Sequence, residues 1–461
     1  MQHYDAIIIG GGPAGASAAI LLAGAGWQVA LIEQSRFPRR KVCGECIAPS
    51  NWPLFAAMGV AEQIDAVAGP DIRQLGIISG RHSVRSPLPG AGTRGHGHGQ
   101  AWGRAVMREH LDTILLERAK QLGATVYQPW MAESVEVERR ENGTATEAHR
   151  HACTTRNLVT QARQTFTAPV LICAQGSWTP HGLDGAAQGH APAPRKRGAD
   201  LLAFKRHFEH ATLPSGQLHV ISFKGGYGGM VSTAEGKTTL AFCMRRDTLA
   251  ACRAARPGQT AAEAAAAYVF DACPAVAASF ATATGCGAWL GAGPLRTGIR
   301  VSAHDRAFLI GNAAGEAHPI IGEGMSMAIQ SAWLLAGRLV GNTRGLESLP
   351  YEQGERGRAG EGMQRPPISG EALNLNSADL CPRSGSWSAS TESRLHRLYA
   401  RDWHRAFSHR LTLAATLAHM AMRPALAGVF VSLCATYPAL LDKAAMASGK
   451  LRQVIKPVTQ G

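Results

Sequence analysis

The sequence predicts an α/β fold in which a Rossmann-like domain carries an inserted β-sheet substrate domain and a C-terminal helical region. Three features near the start of the chain predict the Rossmann-like domain. Asp5–Ile9 is an apolar, β-branched run typical of a strand that is buried on both faces. A glycine loop and a small-residue helix over Ala16–Gly26 follow, and Gln28–Ile32 is a second apolar strand that ends at Glu33. This order of strand, loop, helix and strand is that of a βαβ unit in a parallel sheet.

The loop between the first strand and the helix reads Gly10-Gly-Gly12-Pro-Ala14-Gly15, which matches the G-x-G-x-x-G pattern. Gly10 permits the tight turn, Gly12 lets the backbone approach a pyrophosphate, and Gly15 allows the helix to pack on the strand. Ala14 belongs to the same loop, and the N-terminus of the helix that follows supplies free N–H groups and a partial positive charge that favour phosphate. Glu33 is placed to accept the ribose hydroxyls of an adenosine. The motif in this context therefore predicts a dinucleotide-binding site.

The composition restricts the class of protein. Of 461 residues, 45% are hydrophobic and 17% are charged, which suits a large core and excludes a disordered, solvating chain. The formal net charge is +14, but the basic residues are scattered and no nucleic-acid-binding motif accompanies them, so nucleic acid is not an expected partner. Ten irregularly spaced cysteines, and a first strand that leaves no room for a targeting segment, favour reduced thiols and a cytoplasmic location.

Three further motifs resemble those of one flavoprotein superfamily. Pro38–Pro49 resembles the K-x-C-G-E-x-x-x-P stretch of geranylgeranyl-reductase-like flavoproteins, and Gly103-Arg104 with the segment after it resembles their R-x-x-x-D-x-x-L segment. Leu309–Gly315, followed by His318-Pro319 and Gly322–Met325, resembles their G-D-A-A-G…P-x-x-G-E-G-I motif. The superfamily is the p-hydroxybenzoate-hydroxylase-like group of FAD enzymes, which also contains flavin-dependent halogenases. The resemblance extends in order over about residues 4–345.

The resemblance implies that FAD is the cofactor. Lys41 and Arg104 would lie near the flavin phosphates or ribityl chain, and Gly311 and Asn312 would contact the ribityl chain and pyrophosphate. The helix that opens at Gly324-Met325 would point its N-terminus at the pyrimidine side of the isoalloxazine, where it stabilises negative charge on reduced flavin. The expected FAD contacts are therefore Gly10, Gly12, Ala14, Gly15, Glu33, Lys41, Arg104, Gly311, Asn312, Gly324 and Met325.

Two departures from the superfamily pattern affect FAD binding and electron supply. Asn312 stands where Asp is usual, which keeps an acceptor oxygen for a ribityl hydroxyl but loses the charge, so weaker binding is expected. Gln175 stands where the aromatic hydroxylases carry the Asp of an Asp-Gly motif that spans FAD and a visiting nicotinamide cofactor. The sequence has no second glycine fingerprint. The electron donor is therefore either NAD(P)H, bound transiently, or a partner reductase.

Few residues outside the FAD motifs are candidates for chemistry. His318 would lie next to the flavin ring and is the candidate proton donor or substrate contact, although a structural role fits it equally. Glu323 is the second catalytic candidate, and its alternative role is to shape the start of the helix. Cys43 and Cys46 form a C-x-x-C pair that could be redox-active, but the flavoprotein motif already accounts for Cys43. No metal site is predicted.

The predicted function is that of an FAD-dependent oxidoreductase acting on a hydrophobic small molecule. A monooxygenase that hydroxylates an aromatic or polyketide-like compound is preferred, because hydroxylation covers more of the known uses of the scaffold. The K-x-C-G-E motif and Gln175 favour instead a reductase of carbon–carbon double bonds in prenyl or lipid-like substrates. A halogenase is the third-ranked function, because the W-x-W-x-I-P signature is absent and no lysine can be assigned beside a tunnel to capture hypohalous acid. A flavin-bearing membrane-surface or partner-binding protein without turnover is the alternative from another class.

The expected FAD-binding domain is discontinuous and covers residues 1–70, 101–180 and 296–345. Residues 71–100 and 181–295 would form the substrate domain, with strands at Leu201–Phe208, Gln217–Phe223 and Thr238–Met244 and a close-approach glycine loop at Gly225–Met230. Residues 346–394, rich in Gly, Pro, Ser and Arg, are expected to be a mobile insertion. Residues 395–461 return to a helical pattern.

One apolar segment of the C-terminal region is a candidate for contact with a membrane. Pro424–Leu441 carries no formal charge and reaches the lower length limit of a spanning helix. Pro438 interrupts it and Gly428 weakens it, so a buried helical cap is the preferred interpretation. Basic residues follow at Lys443 and beyond, which suits anionic lipid headgroups, so peripheral membrane contact is the alternative. A transmembrane anchor is the least favoured interpretation.

Overall fold

The computed structural model describes residues 2–88, 90–94, 97–139, 149–177, 196–303, 307–340 and 389–437. Within these residues the chain combines a parallel sheet, a mostly antiparallel sheet behind it, a large mixed sheet and a pair of C-terminal helices. The predicted α/β fold is confirmed.

The centre of the nucleotide-binding domain is a parallel sheet. Its strands are short, and the three central ones are apolar and buried throughout, as the β-branched runs predict. Their order across the sheet is Thr125–Tyr127 (β10), Val29–Ile32 (β3), Ala6–Ile9 (β2), Val170–Cys173 (β14) and Phe308–Leu309 (β21). Three helices form one continuous core with this sheet, namely Pro13–Gly24 (α1), Arg108–Gln121 (α4) and Gly324–Val340 (α8).

A four-stranded sheet, antiparallel except for one parallel pair at its edge, covers the opposite face of the parallel sheet. Phe166 and Cys153 pack there against Ile7 and Ile9, so the central strands are buried on both sides. Its strands, in spatial order, are Gln2–His3 (β1), Arg163–Ala168 (β13), His149–Asn157 (β12) and Trp130–Arg139 (β11).

The substrate domain is built on a large mixed sheet. Its strands, in spatial order, are Thr284–Ala292 (β19), Leu201–Glu209 (β15), Thr238–Arg245 (β18), Gly226–Ser232 (β17), Gln217–Phe223 (β16), Gln74–Ser79 (β5) and His82–Pro87 (β6). Residues that alternate along these strands form a core with three helices, Arg246–Ala255 (α5), Ala261–Ala272 (α6) and Pro274–Ser279 (α7). The three strands predicted from the sequence are all present.

The predicted glycine loop at Gly225–Met230 is wrong, because most of this segment is strand β17. A Cβ on Gly228 would lie 2.5 Å from the Cβ of Phe242 on the neighbouring strand. The glycines do permit a close approach, as their spacing suggested, but the approach is between paired strands instead of at a turn.

Short elements connect the three sheets. Three pairs of short strands occur: Cys46–Ile47 (β4) with the distant segment Arg104–Ala105 (β9), Ala91–Arg94 (β7) with its sequence neighbour Gly97–Ala101 (β8), and Gly298–Ile299 (β20) with Gly315–Glu316 (β22). Two further helices are Trp52–Met58 (α2) and Ala61–Ala66 (α3), and 3-10 turns occur at Pro49–Asn51, Gly311–Ala313 and Pro319–Ile321.

The C-terminal region is helical, as expected, but begins earlier than predicted. Ala389–Ala421 (α9) starts inside the predicted insertion, and Pro424–Thr436 (α10) follows. The remainder of the predicted insertion, 346–388, lies outside the described residues. Helix α9 packs onto α8 and the parallel sheet: Trp403 is buried, and the Tyr399 hydroxyl donates to the Leu309 carbonyl at 2.8 Å.

No single helix in the described part of the chain has both the length and the apolar character to cross a membrane. Helix α9 from Ser390 and helix α10 pass that test only as a pair, and they are bent by 108° relative to each other.

Candidate functional site

A cavity of about 520 Å³ lies between the parallel sheet and the substrate sheet. One part is bordered by the glycine loop, Glu33 and the segment Arg39–Cys46. Another part is bordered by strands β15 to β18 and by the segment after β19. The two parts form one continuous space, so a molecule held at the glycine loop can extend toward the substrate sheet.

The glycine loop has the close contacts that its motif requires. Gly10 has φ +103°, and a Cβ there would lie 2.6 Å from the Ala174 carbonyl oxygen. A Cβ on Gly15 would overlap the Gly10 carbonyl oxygen, because helix α1 packs directly on the end of β2. Gly12 and Ala14 line the cavity at the start of α1, where no acidic side chain occupies the first turn. The loop therefore exposes its backbone N–H groups to the cavity.

Glu33 is buried at the edge of the same space. Its Oε2 accepts the Gly11 backbone N–H at 2.8 Å, and its Oε1 accepts the Ser35 N–H at 2.7 Å. Arg39 lies 3.4 Å from Oε2. The carboxylate is thereby held at the end of β3, beside the glycine loop, where the motif places the acceptor for a ribose.

Three basic residues surround the glycine loop. The guanidinium groups of Arg39 and Arg108 each come within 3.7 Å of the position that a Cβ on Gly12 would occupy. Lys41 lines the same part of the cavity, and burial, followed by the charges of Arg39 and Arg108, lowers its pKa. Asp112 pairs with both arginines, at 3.6 Å from Arg39 and 2.7 Å from Arg108. This cluster suits a pyrophosphate, which would replace part of the missing countercharge.

The structure places Arg104 outside this cavity, contrary to the expectation from the R-x-x-x-D segment. Its side chain is directed at the end of α3, where it pairs with Asp65 and donates to the Gly69 carbonyl at 2.6 Å. Strand β9, which carries Arg104, pairs with β4 and turns the side chain away from the glycine loop. Arg108, at the start of α4, lies at the loop instead.

A pair of lysine substitutions distinguishes the two arginines. Arg108→Lys keeps a charge beside Asp112 but removes the planar guanidinium, and we expect FAD to bind about tenfold more weakly. Arg104→Lys is expected to lower thermal stability and to leave FAD affinity within about twofold of the original, since Arg104 does not line the cavity. Fluorescence titration of the apoprotein with FAD measures both. Equal losses in the two variants would contradict this assignment.

The loop after β21 and the start of α8 complete the part of the cavity that is expected to hold FAD, the FAD cradle. Gly311, Asn312, Gly324 and Met325 all line the cavity. The Asn312 amide donates to Ser177 Oγ at 3.2 Å and to Glu316 Oε1 at 3.3 Å, which fixes its orientation beside the end of β14. Helix α8 begins at Gly324, so its N-terminal N–H groups border the same space.

Gln175 and Glu316 are further polar groups of the cavity. Gln175 Oε1 is buried and has no hydrogen-bond partner among the described residues. Burial raises the pKa of Glu316, whose Oε2 accepts the Arg296 backbone N–H at 3.0 Å. An acceptor without a partner beside the glycine loop is the condition expected of a site built around a bound, hydrogen-bonding cofactor.

His318 is one residue removed from the cavity. Neighbouring residues line the space, but the His318 ring lies behind Tyr227, whose hydroxyl is 3.0 Å from His318 Nδ1. Burial, and to a smaller extent His419, lowers the pKa of His318 to about 4, so the ring is neutral at pH 7. It is therefore not a cationic proton donor at neutral pH, and it shares a hydrogen bond with the Tyr227 hydroxyl. Tyr227 is the residue of this pair that meets the cavity.

The lowered pKa of His318 has a consequence for stability. The native ring has a pKa of about 4 and the unfolded ring about 6.5, so only the unfolded chain takes up this proton between the two values. Stability therefore falls as pH drops from 6.5 to 4, by about 3 kcal/mol for this residue. His318→Asn should make urea-unfolding free energies less dependent on pH in that window. His219, whose pKa burial also lowers to about 4, should act in the same direction. An unchanged pH dependence in His318→Asn would contradict the argument.

Glu323 does not line the cavity. It is fully buried at the start of α8, 3.6 Å from the guanidinium of Arg410 on α9. Arg410 also donates to Gln330 at 2.9 Å. The position of Glu323 is that of a group that ties α8 to α9, and the predicted catalytic role is not supported by its geometry.

The two cysteines of the C-x-x-C pair are both free. Cys43 lines the cavity, and its sulfur accepts the Glu45 N–H at 3.4 Å. Cys46 is buried in strand β4, next to Gly322. Cys46 also lines the cavity, but the two cysteines have different neighbours: Cys43 lies beside Arg108 and Cys46 beside the 3-10 turn before α8. This arrangement favours the interpretation in which Cys43 is simply part of the flavoprotein motif.

Glu45 is a buried residue that the sequence did not single out. Its carboxylate accepts hydrogen bonds from the His207 ring at 2.8 Å and the Thr239 hydroxyl at 2.7 Å, and pairs with Lys205. Burial alone would raise the pKa of Glu45, but the hydrogen bond from His207 and the charge of Lys205 outweigh it and lower the pKa to about 2. The only local signal for it is the K-x-C-G-E motif.

The part of the cavity beside the substrate sheet is mostly apolar. Tyr227 supplies the one hydroxyl among the strand residues there, and Cys243 supplies a thiol. Apart from the imidazole of His219, the other residues there are apolar or small, as expected of a pocket for a hydrophobic molecule: Ala203, Phe204, Leu218, Val220, Gly228, Gly229, Met230, Val231, Ala241, Phe242, Leu290, Leu295 and Ile320.

A glycine loop at the carboxyl edge of a parallel sheet, with a buried acid after the next strand and a second domain across the cavity, defines the class of Rossmann-like dinucleotide-binding oxidoreductases. The comparisons with known proteins make the class specific. The model of the FAD-binding domain family matches residues 3–348, and the chain belongs to that family. FAD is therefore the cofactor, and the resemblance to the flavoprotein superfamily is confirmed.

Similar proteins lie in several branches of this class. A 1H-pyrrole-2-carbonyl-[peptidyl-carrier protein] chlorinase of Pseudomonas fluorescens is 35% identical over 142 residues, which is 28% of this chain and 31% of that protein. A 6-methylpretetramide 4-monooxygenase of Streptomyces rimosus is 42% identical over 60 residues, 13% and 14% of the two chains. The alignments thus span about a third or less of these curated relatives.

The likeness in structure covers more of the chain than the likeness in sequence. The flavin-dependent brominase Bmp2 superposes with a TM-score of 0.63 over 97% of this chain and 94% of its own, at 17% identity. At that identity the superposition shows a shared fold, including the C-terminal helices, and not a shared reaction.

Proposed function

We propose that this protein is a flavin-dependent monooxygenase that hydroxylates a hydrophobic aromatic or polyketide-like small molecule. The observation that carries the proposal is the continuity of the FAD cradle with an apolar chamber against the substrate sheet. FAD, when bound and reduced, supplies the electrons that activate O₂. The chain's own part is to hold the cofactor, to orient the substrate and to exclude water from the reacting groups.

Named residues support each of these tasks. Arg39, Lys41 and Arg108 would hold the pyrophosphate, and the N-terminus of α8 would face the flavin ring. Aliphatic strand residues such as Leu218 and Val220 would exclude water around the substrate. Tyr227, kept in place by its hydrogen bond to neutral His318, would contact a polar group of the substrate or hold a proton for it.

The electron source is part of the proposal. Gln175 occupies the position of the Asp that serves nicotinamide binding in the aromatic hydroxylases, so we propose that a partner reductase delivers reducing equivalents more effectively than NAD(P)H does directly. Anaerobic mixing of the FAD-loaded protein with NADH or NADPH, followed at 450 nm, compares the two routes. Slow bleaching with both nucleotides and rapid bleaching when a flavin reductase is added is the expected result. Rapid bleaching by either nucleotide alone would overturn this part of the proposal.

The reaction itself is tested by admitting O₂ to the chemically reduced protein with a panel of aromatic and polyketide-like compounds. The expected result is a product heavier by one oxygen atom, with ¹⁸O incorporated from ¹⁸O₂. A saturated product formed without O₂ from a prenyl substrate would establish the reductase alternative instead. Release of hydrogen peroxide with no product from any compound of the panel would contradict the proposed substrate class.

Halogenation is the second candidate, because the chlorinase of Pseudomonas fluorescens is among the relatives. A halogenase needs a lysine beside the substrate chamber to capture hypohalous acid. Among the described residues, Lys41 is the lysine that lines the cavity, and it lies with the arginines at the glycine loop. Lys205 is fully buried against Glu45. Bromide added to the oxygenation assay should therefore give no brominated product, and a brominated product would make halogenation the better assignment.

A peripheral contact with an anionic membrane is a further proposal, carried by one face of α10. Leu426, Val429 and Leu433 recur at helical spacing and are 45%, 60% and 46% exposed. Arg423 precedes the helix, and the sequence beyond Asp442 is basic and contains no acid. An apolar stripe beside basic residues suits a bilayer surface with anionic headgroups.

Vesicle sedimentation tests this contact. We expect the protein to pellet with phosphatidylglycerol-containing vesicles, and the triple serine variant at Leu426, Val429 and Leu433 to bind about tenfold more weakly. Val159→Ser, which changes an exposed apolar residue on another surface, is the control and should bind normally. Equal binding of the triple variant and the original protein would remove the proposed contact.

A further inference from the structure

Glu45 joins the two domains that border the cavity. It lies in the segment between β3 and β4 with φ +61°, a left-handed conformation that is unfavourable for a non-glycine residue. Its side chain is 1% exposed and accepts donors from both domains. Such a strained and buried position requires strong compensating contacts.

On the flavin side, Glu45 holds the start of α4. Its Oε1 accepts the backbone N–H of Arg108 at 3.0 Å, and its backbone carbonyl accepts the Val106 N–H at 2.8 Å. Met107, the residue before the helix, has no side-chain capping hydrogen bond, so the Glu45 carboxylate serves this helix end from a distant segment. The helix residue that it fixes is Arg108, whose guanidinium approaches the glycine loop.

On the substrate side, three donors converge on the same carboxylate. Lys205 and His207 come from β15, and Thr239 comes from β18. Lys205 is 0% exposed, and it also donates to the Lys41 carbonyl at 3.4 Å. The segment that carries Arg39 and Lys41 is thus attached to the substrate sheet through Glu45 and the Lys41 carbonyl, and also through Arg40, which contacts His207 and the Cys286 carbonyl at 3.5 Å each.

We propose that Glu45 is a positioning residue for the phosphate-binding cluster of Arg39, Lys41 and Arg108, and that Lys205 of the substrate sheet holds Glu45 in place. FAD affinity then depends on a lysine that does not line the cavity and that belongs to the other domain. The inference concerns how this chain holds its cofactor and does not depend on which reaction the flavin supports.

The charges of Glu45 and Lys205 stabilise each other in the protein interior. A buried carboxylate without its lysine is strongly unfavourable, so it moves, takes up a proton or draws in water. Any of these changes releases the Arg108 N–H and loosens the segment from Arg39 to Cys46. Removing the carboxylate has the same effect on Arg108. The two substitutions should therefore act on FAD through one common step.

A double-mutant cycle on FAD affinity tests this coupling with the full chain. Glu45→Gln and Lys205→Met should each weaken FAD binding about tenfold, and the double variant should lose far less than the hundredfold expected of independent sites. ADP, titrated as a competitor of FAD, should lose affinity by the same factors, because the cluster contacts the phosphates. A loss for FAD without a loss for ADP, or additive losses, would overturn the proposal.

Matched variants separate positioning from simple destabilisation. Glu392, on α9, is also a carboxylate paired with histidines, and hydrogen bonds from His151 and His396 outweigh burial to lower its pKa to about 2. Glu392→Gln should lower the melting temperature and keep FAD and ADP affinities unchanged. If it weakens FAD as much as Glu45→Gln does, Glu45 has only a structural role.

A milder substitution keeps the test available if either charged variant fails to fold. Thr239→Val removes one neutral donor from Glu45 and should weaken FAD and ADP about threefold each. Unchanged affinities in Thr239→Val and in Arg108→Lys would contradict the proposed link between Glu45 and the phosphates.

Discussion

Gly15→Ala is expected to abolish FAD binding, with a loss of affinity of about 100-fold or more. A methyl group at this position would overlap the Gly10 carbonyl oxygen and come within 3.1 Å of the Ala174 side chain. Neither neighbour can yield, because Gly10 is fixed by the tight turn and Ala174 by the end of β14. Helix α1 must therefore move away from the sheet, and its N-terminus moves with it. Titration of apoprotein with FAD measures the loss, and circular dichroism reports whether the fold survives.

A second glycine of the same domain provides the control. Gly337 lies inside α8, and a Cβ there would meet no atom within 4 Å. Gly337→Ala should leave FAD affinity unchanged and stabilise the protein by about 0.5–1 kcal/mol, because alanine favours a helix more than glycine does. Normal FAD binding by Gly15→Ala, or a comparable loss in Gly337→Ala, would contradict the role assigned to the loop.

The glycine loop could be predicted from the sequence because its physics is local. Gly10, Gly12 and Gly15 lie within six residues; the backbone conformation requires Gly10, the Gly10 carbonyl excludes a side chain at Gly15, and the motif assigns Gly12 to the approach of a pyrophosphate. The buried strands Ala6–Ile9 and Val29–Ile32 were predictable for the same reason, since every residue in them is apolar. Elements that are specified by such local patterns occur in the structure close to where the sequence predicts them.

The two arginines that follow strand β8 show where local patterns fail. Arg104 and Arg108 are four residues apart and both fit a basic residue near a phosphate site. Pairing of β9 with β4 directs Arg104 toward Asp65, whereas the start of α4 directs Arg108 toward Gly12. Only the partner segment decides between them, and it lies more than fifty residues away in sequence. The K-x-C-G-E motif indicated the segment of Glu45, but nothing near it indicated Lys205 or Thr239.

Arg410→Met is the substitution from which we expect the largest loss of stability, about 3–5 kcal/mol. Arg410 is 3% exposed and Glu323 is fully buried, so the variant leaves the carboxylate in the core without its closest cation. It also removes the hydrogen bond to Gln330, which in turn donates to Ser50 at 3.2 Å. A loss of this size is a large share of the 5–15 kcal/mol that typically separates folded from unfolded protein. Urea unfolding of the FAD-loaded protein measures it.

The double variant Glu323→Gln/Arg410→Met distinguishes a structural role of Glu323 from a catalytic one. If the carboxylate exists to pair with Arg410, the double variant should recover most of the stability, since neither side chain then carries an unpaired charge. FAD affinity and flavin reduction should stay close to those of the original protein, because neither residue lines the cavity. A catalytic Glu323 gives the opposite pattern, in which Glu323→Gln alone stays stable and loses turnover. In that case Arg410→Met would cost little stability, because packing and the ion pair of Arg338 with Asp402 would be enough to hold α8 on α9.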